Sequence, residues 1–172
     1  LEDSRAGAAY IFERSDGTWS QVKAVRPDGM GGSNYEFGSA VAISGDRIAV
    51  GAPGDDMGYS DSGIIYLYER GAGDWPVAAR IKSQTPETWG WLGSSLAFSG
   101  DRLFSGATGD NVQDLPCGAV HIFAANGGRW EEVDKLTPSP VAAGSFFGEG
   151  LAVSGDTVAA SAFNGTVGLT DG

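Results

Sequence analysis

At 172 residues, with a formal net charge of −11 and a pI near 4.3, the chain can bury one ordinary core but repels phosphate backbones and anionic membrane surfaces. Nucleic acid is thereby excluded as a partner class, and no apolar run reaches the ~20 residues of a membrane-spanning helix. Its 28 glycines, 41% hydrophobic residues and only 19% charged residues, without sustained helical periodicity, predict an all-β fold of short strands and tight turns.

From the N-terminus, GAAYIFER (7–14) reads as a strand, and TWSQVKAV (18–25) follows it across a tight turn. After a loop rich in Gly, Pro and aromatics comes FGSAVAISGDRIAVGAPGDD (37–56). Here a strand from Ser39 to Ile43, an SGD turn and a second strand from Arg47 to Gly51 predict a hairpin. The polar loop PGDDMGYSDS leads to a third strand, GIIYLYER (63–70), and a fourth begins near Trp75. The whole sequence of marks then recurs: LGSSLAFSGDRLFSGATGDN (92–111), the loop TGDNVQDLPC, GAVHIFAA (118–125) and a strand from Trp130. A third copy, FGEGLAVSGDTVAASAFNGT, opens at 147–166. The period of about 55 residues makes the chain a repeat array. In each strand that carries Trp19, Trp75 or Trp130, apolar residues follow at +3 and +6; the broken alternation predicts a bulge or an edge position.

Four antiparallel strands in a unit of this length predict a β-propeller blade, whose two apolar faces need neighbours on both sides. The phase predicts one array over 1–172: the last two strands of a split blade at 7–25, whole blades at 37–82 and 92–137, and the first two strands of the split blade at 147–166. The segments 1–6 and 167–172 overlap in phase. Three blades are too few to close a ring. Either two copies pair as a homodimer into a six-bladed ring, each completing the other's split blade, or further blades belong to a longer parent chain. The start at Leu1, without Met or a signal-peptide pattern, reads as a processed or excised segment.

These motifs resemble the FG-GAP repeat family, which builds the integrin α-subunit propeller and many bacterial extracellular proteins. The naming elements are Phe37-Gly38 with Gly51-Ala52-Pro53, and Leu92-Gly93 with Gly106-Ala107-Thr108. In the third copy Phe147-Gly148 persists while the second element has become Ser161-Ala162-Phe163. The resemblance implies an extracellular or cell-surface adhesion-type module that binds a protein partner. The family's calcium loop, of the form DxDxDG between the first two strands, is reduced here to SGD, with Asp46, Asp101 and Asp156 as the only carboxylates. One carboxylate cannot supply the six to eight oxygens that calcium takes, so these aspartates read as turn residues and no cofactor is expected.

Acidic groups gather instead between the second and third strands: Asp55, Asp56 and Asp61, then Asp110, Asn111 and Asp114. These loops either hold a weak calcium ion with help from carbonyls or are solvated acidic turns. Tyr35, Trp89, Trp91 and Phe146 precede the FG positions. They either stack on a sugar or anchor a protein partner, or they plug the wedge between blades. A lectin-like propeller holding a glycan and a purely structural unit joining copies are the alternatives to protein recognition. The single histidine, His121, aligns with Tyr10 and Tyr66 and reads as a packed ring, and no catalytic motif stands near it, so no enzyme activity is expected. Cys117 aligns with Ala6 and Ser62 as a small residue at a strand start; alone, it excludes an intrachain disulfide. Asn164-Gly165-Thr166 is a glycosylation sequon, meaningful only in a secreted eukaryotic protein.

Overall fold

A computed structural model describes residues 7–26, 35–56 and 58–165. The overlap segments 1–6 and 167–172 and Thr166 of the sequon lie outside them. The described chain is all-β, and its sheets are antiparallel. β1 (Ala9–Ser15) and β2 (Thr18–Val25) form a two-stranded sheet. β3 (Val41–Ser44), β4 (Arg47–Ala52), β5 (Ile64–Glu69) and β6 (Val77–Ile81) form a four-stranded sheet in sequence order. β7 (Leu92–Ser99), β8 (Arg102–Ala107), β11 (Ala119–Asn126) and β12 (Arg129–Leu136) form another. Between β8 and β11, β9 (Asn111–Val112) and β10 (Leu115–Pro116) make a miniature hairpin. β13 (Phe147–Ser154) and β14 (Thr157–Ala162) close the described chain as a final pair.

Strand periodicity explains the stacking of these sheets. Along β5, Ile64, Tyr66 and Tyr68 face one side and Ile65 and Leu67 the other, and all five are buried. The first set packs with Ile11 and Val25 of the β1–β2 sheet. The second packs with Leu92, Leu103 and Phe123 of the next sheet. Phe104, Val120 and Ile122 on that sheet's far side meet Leu151, Val153 and Val158 of the β13–β14 pair. Three apolar layers therefore alternate with four sheets. The central strands of each inner sheet, β4 and β5 in one and β8 and β11 in the other, are buried along most of their length, as the sequence predicts for a unit that cannot stand alone.

The mismatch around the tryptophans is a bulge in all three copies. Pairing registers shift at Ile11/Phe12, Leu67/Tyr68 and Ile122/Phe123. The same bulge leaves Trp19 of β2 66% exposed, whereas Trp75, just ahead of β6, is buried. Arg70 lies over the Trp75 ring at 4.5 Å, and Trp75 Nε1 donates to Glu13 Oε1 at 3.3 Å.

Neighbouring sheets are pinned where repeats meet. The Leu92 amide donates to Ser62 O at 3.1 Å, and the Phe147 amide to Cys117 O at 2.8 Å. Backbones come so close that a Cβ on Gly51 would overlap the Gly93 carbonyl, and one on Gly106 the Gly148 carbonyl. The glycine of one repeat's GAP element thus lies against the FG glycine of the next.

Candidate functional site

Two kinds of site emerge from the loops, one inside the protein and one at its surface. The interior one begins with the acidic loops. Asp55 and Asp110 are buried at 2% and 3% exposure, which corrects the solvated-turn reading for both. Each meets a ring on the third strand of its own sheet. The Tyr66 hydroxyl donates to Asp55 Oδ2 at 2.9 Å. Burial pushes the Asp55 carboxyl up despite that bond, and pushes the Tyr66 phenol up further, with the Asp55 charge adding to the effect. Removing the donor leaves a buried acceptor unpaired. Tyr66→Phe is therefore expected to cost about 1–3 kcal/mol, measured by urea denaturation.

In the next repeat the same place holds a larger network. His121 is fully buried; its Nε2 lies 2.7 Å from Asp110 Oδ2 and its Nδ1 2.8 Å from Glu132 Oε1. Lys135 Nζ reaches the same Asp110 oxygen at 2.6 Å. Burial opposes charge on the ring, but the two carboxylates outweigh it and hold His121 above its ordinary pKa. Glu132 is correspondingly held below the carboxylate range, burial opposing and the His121 bond prevailing. His121 is the packed ring that the repeat alignment predicts and also the centre of an ionic cluster.

The other acidic residues stay at the surface. Asp56 is exposed and its Oδ1 accepts the Asp61 amide at 2.7 Å; Asp61 is half-buried. Asn111 and Asp114 are exposed on the β9–β10 hairpin, which replaces the irregular polar loop expected there, and Asn111 Nδ2 donates to Glu87. Gln113 and Asp114 take left-handed conformations (φ 53° and 62°), the backbone that a two-residue hairpin turn needs. Among the described residues no group of three or more His, Cys, Asp or Glu side chains is placed to hold a metal ion. The turn aspartates reach across elements: Asp46 Oδ1 accepts from Arg70 Nε at 2.9 Å, and Asp101 Oδ1 from Arg47 at 3.2 Å. Asp156 is exposed in the equivalent turn.

The surface site is a basin of about 390 Å³ among the turns that lead into β3, β7 and β13. Glu36, Trp91 and Phe146 occupy the same repeat position, immediately before the FG element, and all three are left-handed, at φ 53°, 54° and 52°. Such a backbone is uncommon outside glycine, and a shared turn enforces it here. The carbonyls of Glu36, Trp91 and Phe146 accept from the amides of Ser39, Ser94 and Glu149 at 3.1, 3.2 and 3.3 Å. Glu149 and the strongly exposed Phe163 complete the rim.

The FG turn that shapes this basin and the glycine contacts between sheets are the features by which a repeat family is recognised. Residues 19–68 and 130–170 match the FG-GAP repeat family model. The chain belongs to the FG-GAP repeat family. No curated protein matches it. FG-GAP repeats suggest a β-propeller-like module that is often adhesion-related and not typically enzymatic.

Against that background the four aromatics singled out in the sequence divide. Trp91 and Phe146 line the basin. Trp89, at φ 59° and 60% exposed, and the half-buried Tyr35 are not among the residues that line it; the Tyr35 carbonyl accepts from the Gly54 amide at 3.2 Å. Glu36 escapes a reading of the sequence that seeks only aromatics before the FG element. Aligning the three FG-GAP copies, however, sets it beside Trp91 and Phe146. Asn164 is exposed in the turn after β14.

Proposed function

We propose that the FG-GAP sheets are blades of a β-propeller, that β1–β2 and β13–β14 are the outer and inner halves of one split blade, and that the module acts in recognition at the cell surface or outside the cell. Its basin receives basic side chains of a protein partner. The observation that carries this reading is the convergence of Trp91, Phe146 and Phe163 with Glu36 and Glu149 on one concave surface. Aromatic faces and carboxylates together favour a guanidinium or ammonium group, which ring and charge both attract. The net charge of −11 raises the encounter rate with a basic partner.

The test is titration of the chain with an arginine- and lysine-rich peptide, an acidic peptide of equal length and a panel of glycans. The basic peptide is expected to bind and to weaken with added salt. Trp91→Ala is expected to lose at least tenfold in affinity, on the order of 1.4 kcal/mol, with Glu36→Gln also weaker. Indifference to the basic peptide, or glycan binding that vanishes in Trp91→Ala, overturns the reading.

A further inference from the structure

The two ends of the stack are unfinished in complementary ways. Among the described residues β1 pairs only with β2, and β14 only with β13, so each leaves one strand edge unpaired. The whole sheets show what belongs there: β4 pairs with β5 and β8 with β11, strands at the same repeat positions as β14 and β1. Carrying over those registers, in which Arg47 faces Glu69 and Arg102 faces Ala124, sets Thr157 opposite Glu13. One chain cannot make this pair with itself, because two whole sheets separate its halves.

The faces match as the edges do. Beside β1 and β3 lies an apolar groove of about 190 Å³ whose floor includes Val41 and Ile43, exposed at 60% and 67%. Their counterparts in the next repeat, Leu96 and Phe98, pack against the preceding sheet. The strands missing over Val41 and Ile43 are therefore an inner pair such as β13–β14. At the other end a groove of about 650 Å³ lies beside Phe104, Ile122, Leu136 and Val158. The strands missing there are an outer pair such as β1–β2, which presents Tyr10, Phe12 and Trp19 exposed on its outer face. Charge agrees. Arg47 lies over the Phe98 and Trp130 rings of the following sheet, each at 5.7 Å. Its counterpart Arg102 lines the second groove, and the counterpart of Trp130 is Trp19.

We propose that these surfaces take a second copy of this chain, the β13–β14 half of each docking on the β1–β2 half of the other to close a ring of six four-stranded sheets. That number lies within the four to eight blades that close propellers. This joint lies apart from the basin and does not depend on what the basin binds. One residue departs from the internal pattern. Ser161 replaces the glycine found at Gly51 and Gly106, and its Oγ accepts from the Gly150 amide at 2.7 Å. Across the joint it faces Gly38, where the internal interfaces have glycine against glycine. The joint is therefore wider there than its internal counterparts.

Light scattering on the 172-residue chain is expected to give twice the 17.7 kDa of one copy. Ile43→Glu changes a residue already exposed in the single copy, so it is expected to halve the mass without lowering the strand content seen by circular dichroism. Ser161→Gly is expected to move the dimer–monomer midpoint to lower concentration. The pair Glu13→Cys with Thr157→Cys faces across the non-hydrogen-bonded register, where Cα atoms lie about 4.5 Å apart, within disulfide range. Mild oxidation is expected to link two chains, and Cys117, being buried, does not compete. A single-copy mass at every concentration, a mass that climbs past two copies, or failure of the cysteine pair to cross-link overturns the proposal.

Discussion

His121→Ala is expected to destabilise the fold by about 3–5 kcal/mol, the usual cost of removing one member of a buried ionic cluster and leaving the others uncompensated. Asp110, at 3% exposure, would keep Lys135 as its only cation, and Glu132 would lose the ring that faces it at 2.8 Å. At roughly 2–4 °C per kcal/mol for a chain of this size, the thermal midpoint should fall on the order of 10 °C. His121→Tyr should cost less, because the preceding repeat already joins a tyrosine to the buried aspartate of that loop, Tyr66 to Asp55.

The same network gives stability a pH dependence whose sign follows from its direction of shift. The folded pKa of His121 is raised above the ordinary value of about 6.5. Its contribution is thus complete below that value and is lost as pH rises through the folded pKa. Glu132 is lowered, so its contribution is present above the usual carboxylate value and lost as pH falls through the folded one. The groups facing the ring are Asp110 from the loop after β8, Glu132 and Lys135 from β12, and Phe123 stacked along β11. Melting curves between about pH 5 and 9 should show the wild-type midpoint falling on the alkaline side relative to His121→Tyr. Equal slopes for the two proteins would mean that the ring is neutral when folded.

How far the sequence carried these features depends on whether the signal was local. The period of the FG, SGD and Trp marks placed every major strand, because each mark is a backbone requirement repeated in phase. The bulge was legible in the spacing of apolar residues after Trp19, Trp75 and Trp130. The β9–β10 hairpin was not, since its turn is Gln113-Asp114 rather than the glycine-containing pairs that announce such hairpins. The ionic cluster was half legible. Alignment placed a ring at Tyr66 and His121, but Asp110 and Glu132 each stand 11 residues away in sequence. Only the sheet register, with Lys135 opposite His121 across the bulge, brings them together. Likewise Glu36 belongs to the basin through a shared turn, not a shared residue type.

Gly63→Ala is expected to cost about 2–5 kcal/mol, for two reasons that can be separated. Gly63 is left-handed at φ 82°, a conformation that costs an L-residue about 1–2 kcal/mol. Its missing Cβ would also overlap backbone atoms of Leu92, where the two repeats form a parallel bridge. Backbone on both sides cannot rotate away as a side chain could, and over-packing of this kind adds about 1–3 kcal/mol. Gly17 supplies the control, being left-handed at the same 82° with nothing within 4 Å of where a methyl group would sit. Gly17→Ala should therefore show the conformational cost alone. Gly51→Ala should show the steric cost alone, since Gly51 is not among the left-handed glycines and yet abuts the Gly93 carbonyl. If the three losses, read from urea midpoints, obey that ordering, the close approach of neighbouring repeats is what demands the glycines of the FG-GAP pattern. A Gly51→Ala chain as stable as wild type would show that the sheets can part at that point without loss, and that the glycine there answers to something other than packing.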